Sequence, residues 1–153
     1  AGAEEGKIHY GIPFSSGYDI VVSNAYSKAN EAGIALLLAL QTLKSDGGGT
    51  TVLIADAPEG QVPHYVMRSW GTHYGGAHYS PKPPGVMPLL MKKLIVFAPH
   101  PDRTSQDLFC HNDDAVVLKT WEDVLAVLEE LYPGEAKVAV IQDGTMQYLR
   151  PAT

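Results

Sequence analysis

Five short runs rich in β-branched residues constrain the fold of this chain more than any other feature. Each run is almost continuously apolar and is bounded by Gly, Asn, Asp or Pro, which is typical of strands buried on both faces. Helical or loop segments separate the runs, and this alternation predicts a mostly parallel sheet with helices on both faces, a three-layer Rossmann-like α/β fold. The predicted strands are residues 18–24, 50–55, 93–98, 115–119 and 137–141.

The chain of 153 residues fits one domain. Residues 1–14 are polar and rich in Gly, without periodicity, so we expect an extended N-terminal arm followed by a single α/β domain over residues 15–153. Near the C-terminus, Asp143 and Gly144 form a turn signal, and we expect residues 146–150 to fold back as an antiparallel edge hairpin.

Two helices are predicted with different surroundings. The first covers residues 28–45, and its middle, 34–40, is apolar on every side, which favours burial against a second domain or subunit. The second follows Thr120, which forms a capping-box-like pair with Asp123. Its apolar residues recur at helical spacing and predict one buried stripe: Trp121, Val124, Leu125, Leu128 and Leu131.

Charge and cysteine content exclude several classes of protein. The net charge is −6, and the basic residues are scattered, so a nucleic-acid partner is not expected. No apolar run approaches the roughly 18 residues that a membrane span needs. A single cysteine, Cys110, leaves no internal disulfide and suits a cytoplasmic protein. We interpret Cys110 as a small buried side chain rather than a nucleophile, although His111 is its neighbour.

Polar side chains follow three of the predicted strands, where ligands bind in sheets of this type. Lys28 and Glu31 lie after the first strand, Glu59 and His64 after the second, and His100 after the third. The Glu59 and His64 pair could act as acid and base, but we favour a turn and a helix start as the explanation of these two residues. The start of the first helix could bind an anion, and simple capping explains that segment equally well. The first segment also contains Asn24 and Asn30.

Several familiar motifs do not occur. The sequence has no glycine fingerprint after the first strand, no phosphate-binding loop, and no C-x-x-C or H-E-x-x-H pattern, which disfavours an independent nucleotide-binding domain. His73 and His78 lie in a loop, residues 71–85, that could hold a metal. We favour instead a loop that faces a partner, because no Asp, Glu or Cys lies within it to complete a metal site.

Four segments, taken in order, resemble the C-terminal domain of the nickel-pincer-nucleotide lactate racemase family. They are DIVVSNAYSKANEAG, GGGTTVLIADAPEG, KKLIVFAPH and AKVAVIQDGTMQYL, and the resemblance runs from Tyr18 to Leu149. It implies one half of a two-domain racemase or epimerase of a 2-hydroxy acid or related compound. The active site would lie in the cleft between this domain and an N-terminal catalytic domain of the same longer chain.

The resemblance also implies a division of labour. The N-terminal domain would hold the nickel-pincer nucleotide, while this domain would bind no cofactor alone and would contact the small-molecule substrate. Where the family has a Tyr-Gln pair followed by Lys, this chain has Gly33, Ile34 and Leu37. Lys28 could supply the missing positive charge. The candidate substrate-binding residues are therefore Asn24, Tyr26, Lys28, Asn30, Glu31, Glu59, His64 and His100.

Two readings stay open on the sequence. The first is the C-terminal domain of a lactate racemase-like isomerase. The second is a non-catalytic ligand-binding or assembly module of the same fold, which the lost polar residues favour. Neither reading requires or excludes an oligomer.

Overall fold

A computed structural model describes residues 2–62, 91–101, 109 and 114–150. It confirms the predicted Rossmann-like α/β fold, since five parallel strands form the central sheet in the order β5-β4-β3-β2-β6. Within the described residues the strands are β1 (Gly11–Pro13), β2 (Ile20–Asn24), β3 (Thr50–Ile54), β4 (Lys93–Phe97), β5 (Ala115–Leu118), β6 (Val138–Ile141) and β7 (Tyr148–Arg150). The helices are α1 (Gly2–Tyr10), a 3-10 helix (Tyr26–Ala35), α2 (Leu36–Thr42) and α3 (Trp121–Leu131).

The strand order places a topological switch point between β2 and β6. From β2 the chain steps outward through β3 and β4 to β5, and then returns to place β6 on the other side of β2. In an open parallel sheet, ligands bind at the carboxyl ends of the strands beside such a reversal.

The two faces of the sheet are covered to different extents. On one face, Val21, Leu53 and Leu94 pack with the 3-10 helix and α2 in the larger apolar core. On the other face, Val52 and Ile95 pack against Val124 of α3 in a smaller core. Among the described residues, α3 is the one helix on this second face, so part of the sheet is left bare there.

The helix predicted over residues 28–45 is shorter and kinked. Lys28 and Glu31 have non-helical backbone angles that interrupt the 3-10 segment, and regular α-helix begins only at Leu36. Burial is also uneven, because Ala35 and Ala39 are fully buried while Leu37 is 63% exposed. Leu37 is thus an apolar side chain that the described residues leave largely exposed.

Helix α3 has the predicted N-terminus. The Thr120 side chain accepts a hydrogen bond from the Asp123 N–H at 3.1 Å, and its hydroxyl donates to the Asp123 carboxylate at 2.6 Å. The apolar stripe is less buried than predicted. Val124 is fully buried, but Trp121 and Leu125 are 36% and 43% exposed.

Both chain ends differ from the predictions. Residues 2–10 form α1 rather than an extended arm, and Lys7 and His9 pair with Glu4 and Glu5 along it. The predicted antiparallel hairpin is wrong, because β7 pairs in parallel with β1 and not with β6. Strands this distant in sequence pair without any local sequence pattern that predicts their pairing. The hairpin was predicted from Asp143-Gly144 because a turn signal is local.

No helix within the described ranges has the length and apolar composition that crossing a bilayer requires. Three of the sequence predictions fall on residues that lie outside these ranges. They concern His64, Cys110 and the loop 71–85 with its two histidines.

Candidate functional site at the carboxyl edge of the sheet

Asp143 joins the loops that follow β2 and β6 at the switch point. One carboxylate oxygen, Oδ2, accepts hydrogen bonds from both the N–H and the hydroxyl of Ser27, the first at 3.2 Å. The other oxygen, Oδ1, accepts from the N–H and hydroxyl of Thr145 at 3.0 and 2.6 Å. A backbone bond from Gly144 N to Asn24 O, 2.8 Å long, holds the same two loops together.

These hydrogen bonds set the charge state of Asp143. Partial burial alone would raise the pKa of its carboxyl group, but the donors from Ser27 and Thr145 outweigh it and hold the pKa below its ordinary value. Hydrogen bonds to a charged acceptor favour the charged form. Asp143 is therefore an anion at neutral pH whose lone pairs are already engaged by the protein.

Gly144 allows the two loops to approach closely. A Cβ atom at this position would lie against the Ser23 hydroxyl and 2.9 Å from the Cβ of Ala35. The Ser23 hydroxyl is itself buried and donates to the Ala35 carbonyl at 3.0 Å. Strand β2, the 3-10 helix and the loop after β6 thus meet at one tightly packed point.

Gln61 fixes the 3-10 helix from the other side. Its side chain is buried, and its oxygen accepts from Ala32 N at 3.1 Å while its amide donates to Ala29 O at 2.7 Å. The next residue, Val62, donates its N–H to Asn30 O at 2.7 Å. The segment after β3 therefore holds the segment after β2 in place, although both are irregular.

The structure brings together two of the predicted site residues on the 3-10 helix. The Lys28 ammonium lies 3.6 Å from the Glu31 carboxylate, with about half of the lysine side chain exposed. Tyr26 is 78% exposed next to them. Asn24 is partly exposed at the end of β2, and Asn30 is exposed but uses its carbonyl for the contact with Val62.

His100 has a carboxylate partner that the sequence analysis did not single out. Its Nε2 lies 3.9 Å from Oδ1 of Asp56 in the loop after β3, and both side chains are more than half exposed. Glu59 is exposed in the same loop, and its predicted partner His64 lies outside the described residues. The acid and base pair of Glu59 and His64 stays a prediction.

Asp143, Ser27 and Gln61 are the residues that sequence reasoning missed. The pair Asp143-Gly144 follows the last strand of the sheet and was interpreted as a turn. The signal that could have identified it is topological, because a carboxylate at the end of β6 meets the end of β2 once their adjacency is known. Gln61 carries no comparable signal, since its partners are backbone groups.

Negative charge dominates this edge. The 3-10 helix carries Lys28 and Glu31, whereas Asp56, Glu59 and Asp143 are carboxylates of the surrounding loops. In the part of the chain that the structure describes, no group of three or more His, Cys, Asp or Glu side chains is placed to hold a metal ion. The part of this edge around the 3-10 helix can offer hydrogen-bond donors and the Lys28 ammonium group to a small polar ligand.

No family model matches the sequence, and no curated protein matches it. Among solved structures, the chain is similar to the lactate racemase apoprotein from Thermoanaerobacterium thermosaccharolyticum, with a TM-score of 0.62 and 14% sequence identity. The similarity covers 97% of this chain and 39% of that chain, so this chain spans well under half of the length of the racemase. At this level of identity the likeness establishes a shared fold.

Proposed function

We propose that this chain is the C-terminal domain of a lactate racemase-like isomerase. In this proposal the carboxyl edge of the sheet faces an interdomain active-site cleft and contacts a 2-hydroxy acid or a related compound. The observation that carries the proposal is the similarity to the lactate racemase apoprotein over 97% of the chain. The matched region is 39% of the racemase chain. A protein of that full length would have room for a separate N-terminal catalytic domain.

The nickel-pincer nucleotide belongs to that N-terminal domain in the proposal. The residues described at this edge form no cluster of metal ligands. What this domain contributes is substrate binding. The candidates are the exposed polar groups of the 3-10 helix, which the Gln61 and Asp143 contacts hold in position.

Lys28 is the residue we assign to the substrate carboxylate. Its ammonium pairs with Glu31 at 3.6 Å, and an exposed ion pair of this kind contributes at most about 1 kcal/mol. A substrate carboxylate can therefore replace Glu31 as the partner of Lys28 at low cost. The surrounding carboxylates would otherwise repel an anion, which makes the Lys28 ammonium group important for binding.

The test uses the complete gene product that contains this chain, with D- and L-2-hydroxy acids as substrates and chiral analysis as the readout. Replacing Lys28 with Ala should raise KM about tenfold, a loss of about 1.4 kcal/mol, with a smaller change in kcat. Replacing Glu31 with Gln should lower KM, because Lys28 loses its competing partner. Lys119→Ala, at the far end of the sheet edge, is the matched control and should leave KM unchanged.

Absence of racemisation by a gene product loaded with the nickel-pincer nucleotide would contradict the proposal. A second candidate function, a non-catalytic binding or assembly module, is favoured by one observation. Leu37, where the resemblance to the racemase family expects a lysine, is 63% exposed on α2. A gene product that contains no nickel-binding domain and catalyses no racemisation would support this alternative.

A further inference from the structure

His100 and Asp56 present an imidazole and a carboxylate from the ends of two neighbouring strands. Strand β3 ends at Ile54 and its neighbour β4 ends at Phe97, and these two residues pair in register. Asp56 and His100 follow the two ends closely, so both lie at the carboxyl edge of the sheet. There, Nε2 of His100 lies 3.9 Å from Oδ1 of Asp56.

Both side chains project from backbone that is held in place. Asp56 lies between Ala55 and Ala57, which are 2% and 7% exposed, and Ala57 N donates to Ala55 O at 3.1 Å. Ala55 N also donates to Phe97 O at 2.9 Å, which ties the loop to β4. His100 lies between two prolines, and proline fixes its own φ and disfavours helical backbone angles in the residue before it. The two exposed side chains thus start from restrained positions.

The distance between the two groups leaves room for one hydroxyl oxygen. At 3.9 Å the imidazole nitrogen and the carboxylate oxygen are too far apart for a direct hydrogen bond. A hydroxyl oxygen about 2.8 Å from both atoms would see them at roughly a right angle, close to the angle between its own O–H bond and a lone pair. Its O–H would donate to Asp56, and its oxygen would accept from the Nε2–H of His100. By contrast, His9 and Glu5 on α1 approach to 3.2 Å and bind each other directly.

The loop after β3 lies between this pair and Lys28. Its first part carries Asp56, and its last part holds the 3-10 helix through Gln61. Lys28 follows β2 and His100 follows β4, and β3 separates these two strands. Neighbouring strands are about 4.8 Å apart, so Lys28 and His100 extend from strands that are roughly 10 Å apart. A ligand that uses both residues must therefore be longer than lactate.

We propose that Asp56 and His100 bind a distal hydroxyl group of a linear hydroxy acid whose carboxylate is bound by Lys28. The assignment of Lys28 is taken from the proposed function, on which this inference rests. The ligand class is thereby narrowed to 2-hydroxy acids with a second hydroxyl group remote from the carboxylate. An analogue without that hydroxyl leaves the gap between Asp56 and His100 to water. Because both groups are exposed to solvent, the hydroxyl should improve affinity only about fivefold.

Isothermal titration calorimetry of the complete gene product tests this with two acids that differ in one hydroxyl group. The probes are 2,6-dihydroxyhexanoate and 2-hydroxyhexanoate, and the wild type should bind the first about fivefold more tightly. Asp56→Ala and His100→Ala should each abolish this preference. Both probes carry the same charge, so the charge that a substitution removes affects them equally and the ratio of affinities reports on the hydroxyl group. His9→Ala, in the exposed pair on α1, is the matched control and should retain the preference.

The possible results distinguish failure of this inference from failure of the proposed function. Equal affinity of the wild type for the two probes would overturn the inference and leave the proposed function standing. A preference that survives both Asp56→Ala and His100→Ala would show that the hydroxyl binds elsewhere. Lys28→Ala should weaken both probes equally, and unchanged affinity for both would overturn the assignment of Lys28 on which the ligand length depends. Binding of neither probe to the wild type would overturn both proposals.

Discussion

The N–H and hydroxyl groups of Ser27 both bind the same carboxylate oxygen of Asp143, which lies 116 residues later in the chain. This contact joins the loops that follow β2 and β6 at the switch point. It also fixes the start of the 3-10 helix, which carries the candidate substrate-binding groups. Replacing Asp143 with Ala should lower the free energy of unfolding by about 2 kcal/mol, since hydrogen bonds to charged groups are among the stronger ones. Urea unfolding measures the loss, and Glu130→Ala, on the exposed side of α3, should leave stability within about 0.5 kcal/mol.

The contribution of Asp143 should depend on pH. Its folded pKa is lowered below the ordinary value of 3.8, so the stabilisation is fully present above that pH and disappears as pH falls through the folded pKa. The stability difference between the wild type and Asp143→Asn should therefore be constant near neutral pH and should shrink below about pH 4. Thermal unfolding from pH 7 to pH 2 measures it, and a difference that grows toward acid would contradict the assignment.

Gly144→Ala should destabilise the fold more than a glycine substitution normally does. The added methyl group would collide with the Ser23 hydroxyl and lie 2.9 Å from Ala35 Cβ. Overpacking of this kind costs about 1–3 kcal/mol. Gly134→Ala is the matched control, because a Cβ there meets no atom within 4 Å. Equal melting temperatures for the two variants would show that the loop after β6 can move aside.

Gln61→Ala should loosen the 3-10 helix. The substitution leaves Ala32 N and Ala29 O without their side-chain partner, and each unsatisfied buried group costs about 1–3 kcal/mol. Amide hydrogen exchange should become faster at Ala32 while that of β3 changes little. Unaltered exchange at Ala32 would contradict a clamping role for Gln61.

Thr120→Ala should remove the N-cap of α3. The loss should be about 1 kcal/mol, and Thr120→Ser should retain most of the stability because its hydroxyl can still accept from Asp123 N. Guanidinium unfolding of the wild type, Thr120→Ala and Thr120→Ser measures the order of their stabilities. A serine variant as unstable as the alanine variant would show that the methyl group, not the cap, matters.

The sequence predicted those parts of the fold that depend on local patterns. Strands β2 to β6 were identified to within two residues at each end, because apolar β-branched runs bounded by turn residues are a local signal. The same holds for α3, whose cap and stripe lie within a few residues of each other.

Local sequence patterns did not predict the long-range contacts. The pairing of β1 with β7, the bond between Ser27 and Asp143, and the Gln61 contacts with Ala29 and Ala32 join residues far apart in the chain. Each depends on which strands become neighbours, and several strand orders satisfy the same apolar pattern. The sequence analysis therefore named polar residues at the carboxyl edge of the sheet but not the residues that hold this edge together. Of the named residues, Lys28 and Glu31 are seen to be in contact, whereas their role in binding stays a prediction.

The pairing of β1 with β7 also has a consequence for the order of folding. Within this domain, Gly11 is synthesised long before its partner Tyr148. The nascent β1 must wait for nearly the whole domain to be synthesised, at about 5–20 residues per second. The β2, β3 and β4 units can pair earlier, since their contacts are closer in sequence. The two-stranded sheet of β1 and β7 should therefore form last, and its formation should mark the end of folding of this domain.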